Sequence, residues 1–268
     1  MDTLTETKLL MKQFNIHAIK NLGQNFLFDE QALNTIAQDV TQEDTVLEIG
    51  PGLGNLTELL VKKAKNVIAV EKDPKMCEVL KKRFILEKNL EIINDDILKV
   101  DIDKITPNAK VVANLPYYIT TTIITELLKS NIKDITILIQ KEVAQRICAE
   151  PGDKEAGAIT YLVNYYADAE IVDYVTKECF IPSPKVDSAI VRITKLKEKR
   201  VKVNDEEKFF EIIKANFNMR RKTLTNSLSS ICEKDELIKI LNQLNIDENV
   251  RGEKLSLQQF ADIANLMS

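Results

Sequence analysis

Apolar runs without polar alternation punctuate the first half of the chain. They fall at 45–50 (TVLEIG), 66–71 (NVIAVE), 90–95 (LEIIND), 110–114 (KVVAN) and 135–140 (ITILIQ). Strands of this kind are covered on both faces, as in a parallel sheet. Helical patterns lie between them. One opens at Asp73, a predicted N-cap, with Pro74 at the first helical position. Two more cover 120–130 and 141–150. The alternation predicts a doubly wound α/β domain. The runs 169–175 and 188–194 are expected to add an antiparallel pair at one edge, with 177–187 between them. Beyond about Thr194 the pattern changes. A charged connector (195–207) leads into three helical patterns and no strand, and the last opens with the capping-box spacing of Ser256 and Gln259. The expected organisation is an α/β domain over 1–196 and a small all-helical domain over 197–268.

With 268 residues, 44% hydrophobic and 29% charged, the chain can bury a sizeable core. No apolar run reaches the ~18 residues of a membrane span. The first residues, MDTLTETKLL, are acidic and polar where a secretory signal would be basic and then apolar, so a cytoplasmic protein is expected. Cys77, Cys148, Cys179 and Cys232 are far apart and form no CxxC pair, which points to reduced thiols and to no metal. His17 is the only histidine, which argues against a histidine-based triad and against a His-rich zinc site. The net charge of −4 conceals an asymmetry: residues 193–222 hold ten Lys or Arg against five Asp or Glu. A basic segment in an acidic chain suits an anionic partner such as nucleic acid, although a solvated charged face reads the same way.

Candidate chemistry gathers at the strand ends. Gly50, Gly52 and Gly54 follow the first strand in the pattern GxGxG, which lets the backbone turn tightly and approach a ligand. Glu71 ends the second strand, where a carboxylate can accept from both hydroxyls of a ribose. Asp96, just past the third, can receive an adenine amine. Together they favour an adenosine-containing cofactor. The spacing departs from the GxGxxG of dinucleotide sites, which favours S-adenosyl-L-methionine over NAD.

Asn114, Leu115, Pro116 and Tyr117 close the fourth strand. The tetrapeptide resembles the Asn/Asp-x-Pro-aromatic motif of methyltransferases acting on exocyclic amines. The Asn114 side-chain oxygen and the Leu115 carbonyl can accept from an adenine amine and draw it towards tetrahedral geometry. Pro116 removes a competing donor, and Tyr117 offers a face on which a base can stack.

Further stretches resemble the dimethyladenosine transferases of small-subunit ribosomal RNA over nearly the whole chain: NLGQNFLFD (21–29), EIGPGLGNLT, VEKD, NDDIL, NLPYY, FIPSPKVDSAIVRI (180–193) and NMRRKTLTNSL (218–228). The resemblance implies a Rossmann-like methyltransferase domain whose first 40 residues fold over the cofactor, and a helical RNA-binding domain. It implies that Asn25, Leu27, Gly50, Gly52, Glu71, Asp96 and Asn114 contact S-adenosyl-L-methionine. Phe180 would join Tyr117 in stacking on a flipped adenine, and Arg220, Arg221 and Lys222 would meet phosphates. The implied reaction transfers two methyl groups to each of two adjacent adenosines near the RNA 3′ end, by a monomer that uses no metal and works on the small subunit. The macrolide-resistance enzymes of large-subunit RNA share the glycine loop, but SPKVDSA and RRKTL favour the small-subunit family. A non-catalytic RNA-binding factor on the same fold is opposed by the intact Asn114 and Glu71.

Overall fold

The computed structural model describes residues 2–19 and 23–267. Asn21 and Leu22, which open the 21–29 motif, lie outside them. The strands are β1 (Phe26–Leu27), β2 (Thr45–Ile49), β3 (Asn66–Glu71), β4 (Leu90–Asn94), β5 (Lys110–Asn114), β6 (Asp134–Gln140), β7 (Ala167–Val175), β8 (Phe180–Ile181) and β9 (Ser188–Lys195). Seven of them form one sheet in the order β4-β3-β2-β5-β6-β9-β7, and β1 pairs with β8 apart from it. The pairs from β4 through to β6 are parallel, and β9 runs antiparallel to β6 from Asp134↔Thr194 to Gln140↔Ser188.

The apolar runs thus become strands where they were expected, with one difference. In β4 every residue keeps some exposure, because it lies at the sheet edge with β3 as its sole neighbour. The Pro74–Arg83 helix begins as its sequence predicts: Asp73 caps it, accepting from the Lys75 N–H at 2.9 Å, and Pro74 takes the first turn. On one face of the sheet, Leu33 and Ile36 of the Glu30–Ile36 helix and Leu56 and Leu60 of the Asn55–Lys63 helix pack with Val46, Val67, Val112 and Leu138. The chain runs outward from β2 to β4 and then returns to β5 on the other side of β2. That reversal opens a crevice at the carboxyl ends of β2 and β5, the place where open α/β sheets receive ligands.

The chain divides into two compact units: Met1–Ala144 with Glu170–Lys195, and Gln145–Ala169 with Leu196–Ser268. The second therefore recruits 145–169, a stretch the sequence pattern groups with the α/β domain. The reason is aromatic. Tyr161 and Tyr165, on the Ala158–Tyr166 helix, are fully buried among Phe209, Leu237, Leu241 and Phe260. The Tyr161 ring meets Phe260 edge-on at 5.2 Å, and its hydroxyl donates to the Leu255 carbonyl at 2.6 Å. Four helices follow the connector: Glu206–Asn218, the short Leu224–Ser227, Lys234–Gln243 and Leu257–Leu266. The last has the expected capping box between Ser256 and Gln259. The single-turn Leu224–Ser227 helix is too short to leave a periodic signal.

Candidate active site

The glycine turn after β2 depends on backbone conformations that side chains disfavour. Gly50, Gly52 and Gly54 have φ of 67°, 57° and 88°. A Cβ on Gly52 would stand 3.1 Å from the Phe26 ring, and one on Gly54 would stand 2.6 Å from the Phe84 ring. Each glycine thus lets another element come close. Glu71 holds the turn from beneath: Oε2 accepts from the Gly52 N–H at 3.0 Å and Oε1 from the Asp73 N–H at 2.8 Å. Burial pushes the Glu71 carboxyl above its ordinary value, against the pull of these two bonds. A carboxylate has about four acceptor sites, so capacity remains for two hydroxyls.

Across the crevice, Asp96 caps a short turn through Leu98 N–H at 3.2 Å and forms an ion pair with Lys72 at 2.9 Å. The Lys72 ammonium holds the Asp96 carboxyl below its ordinary value. Lys72 lies inside the VEKD stretch, but a lone lysine beside Glu71 gives no sequence signal of its own.

The N-terminal segment reaches this crevice through two anchors. Phe26↔Ile181 and Leu27↔Phe180 form the β1–β8 pair. Asn55, 8% exposed, donates to the Leu27 carbonyl at 2.8 Å and to Thr7 Oγ1 at 2.9 Å. Its own oxygen accepts from Arg83 at 3.1 Å, and Arg83 also grips Glu6 and Glu58 at 2.7 and 2.6 Å. The Thr3–Gln13 helix, β1 and the glycine loop are thereby tied to one buried amide.

Asn114 Nδ2 donates to the Asn25 carbonyl at 3.2 Å. The amide orientation follows from that bond and leaves Oδ1 as a spare acceptor. Among the described residues no hydrogen bond ends on the Leu115 carbonyl. Tyr117 is held by its hydroxyl, 2.7 Å from Ser188 Oγ on β9. Burial raises its pKa, so the phenol stays neutral. Asn25, Leu27, Gly50, Gly52, Glu71, Asp96, Asn114, Leu115, Pro116 and Tyr117 all line this one crevice.

The remaining expected site residues do not. Phe180 is 2% exposed and packs with Leu27, Leu33 and Val175 beneath β1, because its strand pairing turns it into the core. It does not present a stacking face to the crevice. Arg220, Arg221 and Lys222 belong to the helical unit, in the turn after the Glu206–Asn218 helix. Arg220 is engaged there, bonded to Glu253 at 2.6 Å and to the Lys154 carbonyl. Arg221 and Lys222 are exposed. Among the described residues no group of three or more His, Cys, Asp or Glu is placed to hold a metal ion, and no helix is long and apolar enough to cross a membrane.

A parallel sheet reversing at β2 and β5, a glycine turn and acidic residues at successive strand ends define a Rossmann-like α/β protein built for a nucleoside-bearing ligand. Its family is more specific: residues 15–268 match the ribosomal RNA adenine dimethylase family, and the chain belongs to that family. It is 44% identical over 267 residues to ribosomal RNA small subunit methyltransferase A of Clostridium botulinum (strain Loch Maree), covering 97% of each chain. It is 45% identical to the protein of the same name from Clostridium perfringens (strain SM101), covering 97% of this chain and 94% of that one. Among solved structures, a dimethyladenosine transferase from Plasmodium falciparum aligns with a TM-score of 0.76 at 26% identity, over 89% of this chain and 95% of that one. The 23S rRNA methyltransferase ErmE aligns with a TM-score of 0.69 at 25% identity, over 91% and 99%.

Proposed function

We propose that this chain transfers methyl groups from S-adenosyl-L-methionine to the N6 amines of two adjacent adenosines near the 3′ end of small-subunit ribosomal RNA, two to each. One observation carries the reading: Asn114 is fixed through Nδ2, with Oδ1 left to accept, in the same crevice as Glu71 and Asp96. The acceptor sites that Glu71 keeps beyond its two backbone bonds suit the hydroxyls of a ribose. The printed names of the relatives at 44–45% identity, both small-subunit methyltransferases, favour small-subunit over large-subunit RNA.

When bound, the cofactor supplies an electrophilic methyl group. This chain's residues supply the rest. The adenine amine is a weak nucleophile because its lone pair is delocalised into the ring. Asn114 Oδ1 and the Leu115 carbonyl accept its hydrogens and favour the tetrahedral nitrogen of the transition state, which lowers the barrier without tightening substrate binding. Pro116 offers no competing N–H. Tyr117, pinned by Ser188, gives the extruded base a fixed face. The methylated nitrogen sheds its proton readily, so no strong base is required, and the one histidine, exposed His17, is not among the crevice residues. We assign Glu71 to the ribose, Asp96 to the cofactor adenine and the exposed Arg221 and Lys222 to RNA phosphates. The reading includes a cytoplasmic monomer acting on the small subunit without a metal. Incubation with labelled S-adenosyl-L-methionine and undermethylated small subunits, followed by mass spectrometry of the RNA, should find dimethyladenosine at two neighbouring positions. Label on large-subunit RNA alone would redirect the assignment.

A further inference from the structure

Glu48 stands inside the apolar run of β2, two residues before Gly50, and it also lines the crevice. It is 1% exposed, and its Oε2 has no hydrogen-bond partner. Thr57 Oγ1, on the Asn55–Lys63 helix, favours the ionised form from close by but completes no hydrogen bond to it. A buried ionised carboxylate left without partners is strongly disfavoured. The counter-charge nearest to it is committed elsewhere. Arg83 is the cation nearest in effect, and its guanidinium is taken by Glu6, Glu58, Asn55 and the Leu53 carbonyl. From β3, Glu71 adds like charge and Ala69 is the register partner. The Glu30–Ile36 helix contributes only Leu33 to the crevice wall. Burial, reinforced by Glu71 and opposed by Thr57 and Arg83, pushes the Glu48 carboxyl up to about 8.

We propose that Glu48 gives up a proton as the cationic end of the cofactor enters the crevice, and so acts as a positioning residue that reads the cofactor's positive charge. The inference rests on the reading of the crevice as an S-adenosyl-L-methionine site. That molecule carries a sulfonium and an α-ammonium, whereas every crevice carboxylate already named has a partner in the protein. A cation arriving beside Glu48 supplies the missing counter-charge. The O–H bond of the carboxyl breaks, the electron pair stays on the carboxylate, and the proton leaves to buffer. An acid that ionises on demand spares the empty protein an unpaired buried charge and offers one to the loaded protein. By linkage, cofactor affinity rises with pH until the free carboxyl itself ionises.

The test is titration calorimetry of the full chain at pH 7 in two buffers of different ionisation enthalpy. S-adenosyl-L-methionine, S-adenosylhomocysteine (ammonium kept, sulfonium lost) and 5′-methylthioadenosine (both lost) serve as ligands. Wild type should release about one proton with the methyl donor and none with methylthioadenosine. Release with both charged ligands assigns the ammonium, and release with the donor alone assigns the sulfonium. Glu48→Gln, which mimics the protonated side chain and should fold as wild type does, should release none. Between pH 6 and 8 the ratio of wild-type to Glu48→Gln affinity should climb by up to about tenfold per pH unit. Donor binding without proton release in wild type, or equal release in Glu48→Gln, overturns the proposal while leaving the crevice assignment standing. Failure of the donor to bind at all would instead overturn the assignment. Should Glu48→Gln not fold, the two-buffer result on wild type decides alone.

Discussion

The crevice and the basic turn at 219–222 hold their polar groups in opposite ways. In the crevice, Glu71 is clamped by two backbone N–H groups, Asn114 by a backbone carbonyl and Tyr117 by a buried serine. In the turn Arg220 is bound to Glu253 and Lys154, while Arg221 and Lys222 extend into solvent. Bond-making chemistry needs groups fixed to a fraction of an ångström, because their contribution arises in the transition state alone. Contact with a flexible polyanion needs reach and charge, and long side chains free to adjust provide both. Among three adjacent basic residues, the structure therefore separates an architectural one from two that remain available.

The contrast is broken most directly at Asn114. Asn114→Ala should lower turnover by ~100-fold or more, with RNA affinity almost unchanged and any loss of cofactor affinity far smaller than the loss of turnover. Single-turnover assays with binding measured in parallel would check this, and dimethyladenosine formed at near the wild-type rate would remove Asn114 from the site. In the helical unit the rigid counterpart is Gly252. A Cβ there would lie 2.1 Å from Oδ1 of Asn216, which is itself 1% exposed, so the two cannot both keep their places. Gly252→Ala should destabilise that unit by about 1–3 kcal/mol, seen as an earlier denaturation transition, and should leave cofactor affinity intact.

Glu71→Ala should weaken S-adenosyl-L-methionine binding about tenfold or more, since charge-assisted bonds are worth ~1.5–3 kcal/mol each. Because Gly52 loses its acceptor as well, Glu71→Gln should recover part of the loss. Calorimetry would read both, and unchanged affinity in Glu71→Ala would detach the carboxylate from the cofactor. The smallest effect sharpens the comparison within the basic turn. Arg221→Ala with Lys222→Ala should flatten the salt dependence of RNA binding by ~0.7–0.9 per lost phosphate contact, without changing stability. Arg220→Ala should do the reverse, lowering stability with little change in slope. Identical slopes for all three would place every one of these cations outside the RNA interface.

Much of this was readable in the sequence because it was written in continuous apolar runs and strand-end punctuation. A buried parallel strand leaves an unmistakable stretch such as VVAN, and the polar residue that terminates it is by position a crevice residue. What stayed hidden depended on partners far away in the chain. Two-residue β1 has no period to detect, and its pairing with Phe180 exists only in three dimensions. For the same reason the sequence does not reveal that Phe180, expected to stack on a base, is buried beneath β1. The engagement of Arg220 needs Glu253, 33 residues later. The grouping of 145–169 with the helical unit needs Phe209 and Phe260. Glu48 did leave a mark: a charge in the interior of an otherwise apolar strand breaks the local pattern, and such breaks occur where a protein accepts a cost for function.

The β1–β8 pairing also sets an order of events at synthesis. All the proposed cofactor contacts lie at or before Asn114, so a nascent chain some 120 residues long already contains them. The strand that seats Leu27 arrives only at Phe180–Ile181, and the serine that pins Tyr117 only at Ser188. A growing chain thus holds the proposed ligand-binding side chains well before it can close them into one crevice. The crevice takes its observed form only once β8 and β9 have emerged.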